Sequence, residues 1–79
     1  MKIKVIYFAA LREQAKKNDE IIETSFTNPA DIYNLLKKKY NFTLEINNLK
    51  VAVNDCYENF DFEIKEMDSL VFIPPVAGG

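Results

Sequence analysis

The sequence predicts an α+β domain in which one main helix, residues 29 to 40, packs across a small mixed sheet. Three observations carry that expectation. The 79 residues are 48% hydrophobic and 28% charged, which leaves room for one apolar core and matches a folded rather than a disordered chain. Runs rich in β-branched and aromatic residues lie at both ends, KIKVIYF at residues 2 to 8 and SLVFIPP at residues 69 to 75. Between them sits one segment with helix-start chemistry and apolar residues recurring at spacings of three and four.

Taken in order, KIKVIYF starts by alternating and reads as the opening strand. AALREQAKK is made of helix formers and adds about two helical turns, after which Lys17, Asn18 and Asp19 mark a turn. EIIETSF, residues 20 to 26, reads as a second strand with Ile22, Thr24 and Phe26 on one side, antiparallel to the first. The main helix begins with Asn28 as N-cap, Pro29 at the first helical position and Asp31 facing the dipole. Its apolar stripe is Ile32, Leu35, Leu36 and Tyr40. Lys37, Lys38 and Lys39 fall in its last turn, where cations suit the carbonyl end, so the triplet reads as helix chemistry rather than a binding patch.

NFTLEINN is an irregular connection. LKVAVNDCYE supplies a strand from Lys50 to Asn54, an Asn-Asp hairpin turn and a return strand. FDFEIKEMD leads to a turn, and SLVFIPP forms the last strand, closed by its prolines. Strand, strand, helix and three further strand-like pieces is a β-grasp order. Residues 1 to 73 form the domain and residues 74 to 79 an extended tail.

VIYF and LVFI break the alternation that a sheet covered on one face should show. Both faces of the central strands ask for burial, and one helix covers only one. The sequence therefore leaves two alternatives: an exposed apolar patch for a partner that includes Phe8, Tyr57 and Ile73, or a cover made by the 9 to 17 helix and the 41 to 49 loop.

Several function classes drop out. Twelve acids against ten bases give a net charge of -2, with no electrostatic footprint for nucleic acid or an anionic membrane. The longest apolar runs fall far short of the roughly 20 residues that span a bilayer. A single cysteine, Cys56, cannot form an internal disulfide, and no leader precedes the first strand, so a cytoplasmic protein is expected. Histidine is absent, removing the commonest general base and neutral metal ligand. No metal site, no bound cofactor and no self-contained active site are expected. A phosphate-binding glycine loop is impossible, because the only glycines are Gly78 and Gly79.

Those two glycines end an arm. From Pro74 the chain can extend about 3.3 Å per residue, so PPVAGG reaches roughly 20 Å beyond the sheet. Pro74 and Pro75 hold its root extended, and side-chain-free glycines can thread a narrow slot. The terminal carboxylate is ionised at neutral pH and a poor electrophile, so it needs activation from outside. Joining it to the α-phosphate of ATP creates an acyl-adenylate that a nucleophile can attack. A glycine end alone resembles a frayed terminus. The apolar PPVA before it is what points to a partner groove.

IKVIYFAALRE, VAVN and above all DSLVFIPPVAGG make the whole chain resemble the small, sulfur-carrier subunit of molybdopterin synthase, a ubiquitin-like β-grasp protein. The resemblance implies that an ATP-dependent, E1-like activating enzyme adenylates Gly79, and that sulfur transfer then gives a C-terminal thiocarboxylate. It also implies docking on the large catalytic subunit, as a two-plus-two heterotetramer, and sulfur donation to cyclic pyranopterin monophosphate. The chain would be non-catalytic on its own. Gly79 is the reacting residue, and Pro74, Pro75, Val76, Ala77 and Gly78 line the inserted arm. One departure is Met67, which stands where the family usually has a glycine in the turn before the last strand. Cys56 invites a sulfur-relay role, yet a lone strand cysteine is ordinarily a small apolar residue. A thiamin-pathway sulfur carrier, a ubiquitin-like protein modifier joined to lysines, and a plain interaction domain remain alternatives.

Overall fold

The computed structural model describes residues 1 to 75. Its elements are β1 (Lys2–Ile6), α1 (Ala10–Ala15), β2 (Asp19–Glu23), α2 (Pro29–Tyr40), a 3-10 turn (Ile46–Asn48), β3 (Lys50–Val53), β4 (Cys56–Glu58) and β5 (Ser69–Ile73). The five strands form one sheet in the order β2-β1-β5-β3-β4. β1 and β5 run parallel at its centre, and the other pairings are antiparallel. Helix α2 lies across one face, as the sequence predicts.

Alternation explains the core. Ile3 and Val5 of β1, Leu70 and Phe72 of β5, and Val51 and Val53 of β3 all point to the α2 side and are buried. Ile32, Tyr33 and Leu36 of α2 meet them there. The α2 start follows the expected chemistry: the Asp31 N–H donates to the Asn28 side-chain oxygen at 2.9 Å, with Pro29 at the first helical position. Its end is closed by Asn41 in the left-handed region, whose N–H donates to the Lys37 carbonyl.

Four details differ from the sequence reading. The opening strand stops at Ile6 instead of running to residue 8, although the Tyr7 N–H still donates to the Asn18 carbonyl at 2.8 Å. Strand β2 ends at Glu23, because the Thr24 hydroxyl accepts from the Phe26 N–H at 3.1 Å and turns the chain, leaving Phe26 exposed. The α2 stripe contains Tyr33 in place of Leu35: Tyr33 is fully buried and Leu35 is 41% exposed. The Tyr33 hydroxyl escapes the cost of burial by donating to the Leu44 carbonyl at 2.7 Å. The 41 to 49 connection is not wholly irregular, since it carries the 3-10 turn.

One turn suits its residues and a second does not. Asn54 and Asp55 both have positive φ, 51° and 71°, the geometry of a tight two-residue hairpin between β3 and β4. Met67 has φ 65°, a left-handed value that glycine takes freely and methionine only at a cost. The turn is held from both sides. Met67 donates its N–H to the Lys2 carbonyl, and the Asp68 carboxylate accepts from the Lys65 N–H at 2.8 Å and from the Asn54 amide at 2.9 Å.

Candidate functional site: the helix-free face and the tail root

The register places an apolar row on the face that α2 does not cover. Ile6 lies beside Val71, Val71 opposite Ala52, and Ala52 opposite Tyr57, so four strands contribute one residue each. The next position along β5 on this face is Ile73, opposite Lys50, and the chain reaches Phe8 two residues past the end of β1. Phe8 is 54% and Tyr57 70% exposed, while Ile73 is half-buried. The proposed covers go elsewhere. Leu11 and Ala15 of α1, and Phe42 and Leu49 of the 41 to 49 connection, join the core cluster instead.

These residues do not converge on one point. Phe8 and Ile73 lie at the end of the central strands, whereas Tyr57 sits on the edge strand β4, roughly 14 Å from β1 and roughly 10 Å from β5 by strand spacing. The geometry is that of a surface. Lys2, Lys4 and Lys50 share this face with the apolar row, and Asp19 and Glu23 of β2 lie on it as well, opposite Ile6 and Lys2, so the border of the row is of mixed charge. Strand β5 ends at Ile73 with Pro74 buried and Pro75 exposed, so the root of the arm is fixed against the domain. Val76, Ala77, Gly78 and Gly79 lie outside the described residues. Cys56 opens the edge strand β4 and is an exposed thiol rather than a packed one. Among the described residues no group of three or more cysteines or acids could hold a metal ion, and no helix is long and apolar enough to cross a membrane.

One polar cluster escaped the sequence reading. The Glu20 carboxylate accepts from the hydroxyls of Tyr7 and Tyr40, each at 2.5 Å, and its other oxygen lies 3.5 Å from the Lys17 ammonium. Lys17 and Lys39 both sit 5.3 Å from the centre of the Tyr40 ring. Burial by itself would raise the Glu20 carboxyl, but the two hydroxyl donors and the nearby lysines outweigh it and hold it below the usual range. Burial, then the bond to Glu20, pushes the Tyr7 hydroxyl far up, so it remains a proton donor. This cluster ties β1, β2 and the end of α2 together. It lies on the helix-covered side, away from the apolar row, and it takes both the β1–β2 pairing and the end of α2 to bring its members together.

A central parallel pair, antiparallel neighbours and one long helix across a single face define a ubiquitin-like β-grasp domain. The solved structures most like it include a putative molybdopterin converting factor subunit 1 from Pyrococcus furiosus. That chain is 30% identical, with 96% of this chain and 99% of the other covered and a TM-score of 0.80. The small archaeal modifier protein 1 from Methanosarcina acetivorans is 25% identical over 99% of this chain and 96% of that one, with a TM-score of 0.78. A complex of subunits 1 and 2 of the molybdopterin-converting factor from Helicobacter pylori contains a chain 22% identical, fully covered both ways at a TM-score of 0.70, which shows the shared fold. No curated protein sequence matches this one. The ThiS family model matches residues 5 to 79, and the chain belongs to that family, whose fold is the one ubiquitin-like sulfur carriers share.

Proposed function

We propose that this protein is the sulfur-carrier subunit of a molybdopterin synthase, non-catalytic alone, with residues 74 to 79 as its working arm. The observation that carries the reading is the placement of the arm's root. The strand leading to it is central in the sheet, and an apolar row that α2 does not cover runs beside it. A large subunit docked on that row, through Phe8, Tyr57 and Ile73, would receive the arm at a fixed position. Similarity to the Pyrococcus furiosus subunit over nearly the whole chain supports the same reading. The complex from Helicobacter pylori supports a second subunit as the partner.

In this reading an oxygen of the Gly79 carboxylate attacks the α-phosphorus of ATP on a separate E1-like enzyme, and pyrophosphate leaves. A sulfur nucleophile then adds to the acyl carbon, AMP departs with its electron pair, and a thiocarboxylate remains. Inside a two-plus-two heterotetramer in the cytoplasm, two charged arms would supply the two dithiolene sulfurs to cyclic pyranopterin monophosphate. Pro74, Pro75, Val76, Ala77 and Gly78 line the path, narrowing toward the reacting end. A second reading, a protein modifier joined to lysines, rests on the similarity to the archaeal modifier protein. A thiamin-pathway carrier would share the activating step.

The test is the intact mass of the chain after incubation with ATP, a sulfur source and the cell's activating enzyme, beside a chain lacking Gly79. Exchange of one oxygen for sulfur in the full chain alone is the expected result, followed by its reversal when large subunit and pyranopterin are added. Larger conjugates without a mass change on the free chain would favour the modifier. A chain unchanged by an enzyme active on a known carrier would overturn the proposal.

A further inference from the structure

Strand β2 forms one edge of the sheet and, among the described residues, pairs only with β1. Met1 and Thr24 exchange both backbone bonds, at 2.8 and 2.9 Å, and bonded pairs alternate along an antiparallel ladder. Ile22 and Glu20 are in phase with Thr24 and face β1. Asp19, Ile21 and Glu23 therefore turn their N–H and C=O groups outward, with no backbone partner for them among the described residues. Beside this edge lies an open groove of about 350 Å3 bordered by Glu20, Ile22, Leu35, Leu36 and Lys39. Leu35 on the helix side and Ile21 on the other side are 41% and 58% exposed. An outward backbone edge and two exposed aliphatic side chains thus coincide, Leu35 of α2 bordering the same groove as β2.

We propose that β2 takes up an extended segment of a partner protein as a sixth strand, a segment with two adjacent aliphatic residues flanked by basic ones. An added strand satisfies the outward backbone groups and covers both aliphatic chains in one step, the mode known as β-augmentation. Charge chooses the flanks. Asp19 and Glu23 stand on either side of Ile21 on the same face, so the residues opposite them are cations. The same acids reject a second copy of this chain, since antiparallel pairing centred on Ile21 would set Asp19 against Glu23 twice. β1 separates β2 from β5 and the root of the arm, and the inference stands independently of the sulfur-carrier reading.

The probe is a short peptide containing Lys-Val-Ile-Ser-Lys, whose antiparallel alignment sets its lysines opposite Glu23 and Asp19 and its valine in the groove. Titrated into the isotope-labelled full chain, it should shift amides of residues 19 to 23 and around Leu35, and slow hydrogen exchange at Asp19, Ile21 and Glu23. Replacing both peptide lysines with glutamates should weaken binding at least about tenfold. So should Leu35→Lys, or Ile21→Lys where the first variant folds poorly, circular dichroism confirming the fold. Four results would overturn the proposal: no shifts at millimolar peptide, equal binding of both peptides, shifts confined to β4, or a chain dimer that Leu35→Lys dissolves.

Discussion

The two faces of the sheet are built from the same strands and have opposite fates. On one, Ile3, Val5, Val51, Val53, Leu70 and Phe72 disappear beneath Ile32, Tyr33 and Leu36. On the other, Ile6, Val71 and Ile73 are only half covered, Tyr57 is open, and lysines lie among them. The core is complete without the second set. Their apolar character is therefore not demanded by the core, and that excess is what the proposed docking of a large subunit on this face rests on.

Truncating the same kind of side chain on each face breaks or confirms this division. Phe72→Ala removes a fully buried ring that contacts Tyr33 and Phe60, and should cost about 3–5 kcal/mol in urea unfolding, enough to leave a small domain barely folded. Tyr57→Ala should change folding stability by less than about 0.5 kcal/mol while weakening titration calorimetry with a large subunit by about 2 kcal/mol. Equal folding losses from the two would erase the distinction.

The Glu20 cluster sharpens the picture of the covered side. Glu20→Gln should cost about 2 kcal/mol near neutrality, because two hydroxyl donors lose a charged acceptor. The sign with pH follows from the depressed carboxyl. Its stabilisation is complete above the ordinary value of 4.5 and is lost as pH falls through the lower folded value, so wild-type and variant stabilities should converge in acid. Parallel curves down to low pH would count against that role. The smallest effect is expected at the turn before β5. Met67→Gly should raise stability by about 0.5 kcal/mol, the relief of a left-handed methionine less the greater freedom of glycine in the unfolded chain.

What could be read from sequence was local chemistry. Asn28, Pro29 and Asp31 mark the helix start wherever the rest of the chain goes, and Asn54–Asp55 dictates its hairpin. Met67 stands out because the resemblance expects a glycine, and the backbone there has the positive φ that glycine favours. What required the structure was relative placement. Leu35 and Tyr33 sit two residues apart on α2, and periodicity alone does not say which flank of the stripe the sheet will reach. Glu20 looks like an ordinary strand acid until the β1–β2 register sets it beside Tyr7 and the helix brings Tyr40. The parity argument found the uncovered apolar residues without choosing between a partner and a local cover, since the path of α1 and of Phe42 depends on the completed core.

The central position of β5 also decides how the domain answers to force. A partner that draws on the chain beyond Pro75 pulls β5 along its own length, held by β1 on one flank and β3 on the other. Motion in that direction must slide every rung on both sides together instead of opening them one after another. The domain therefore acts as a stiff handle, transmitting tension into its anchored sheet, and it yields all at once if it yields.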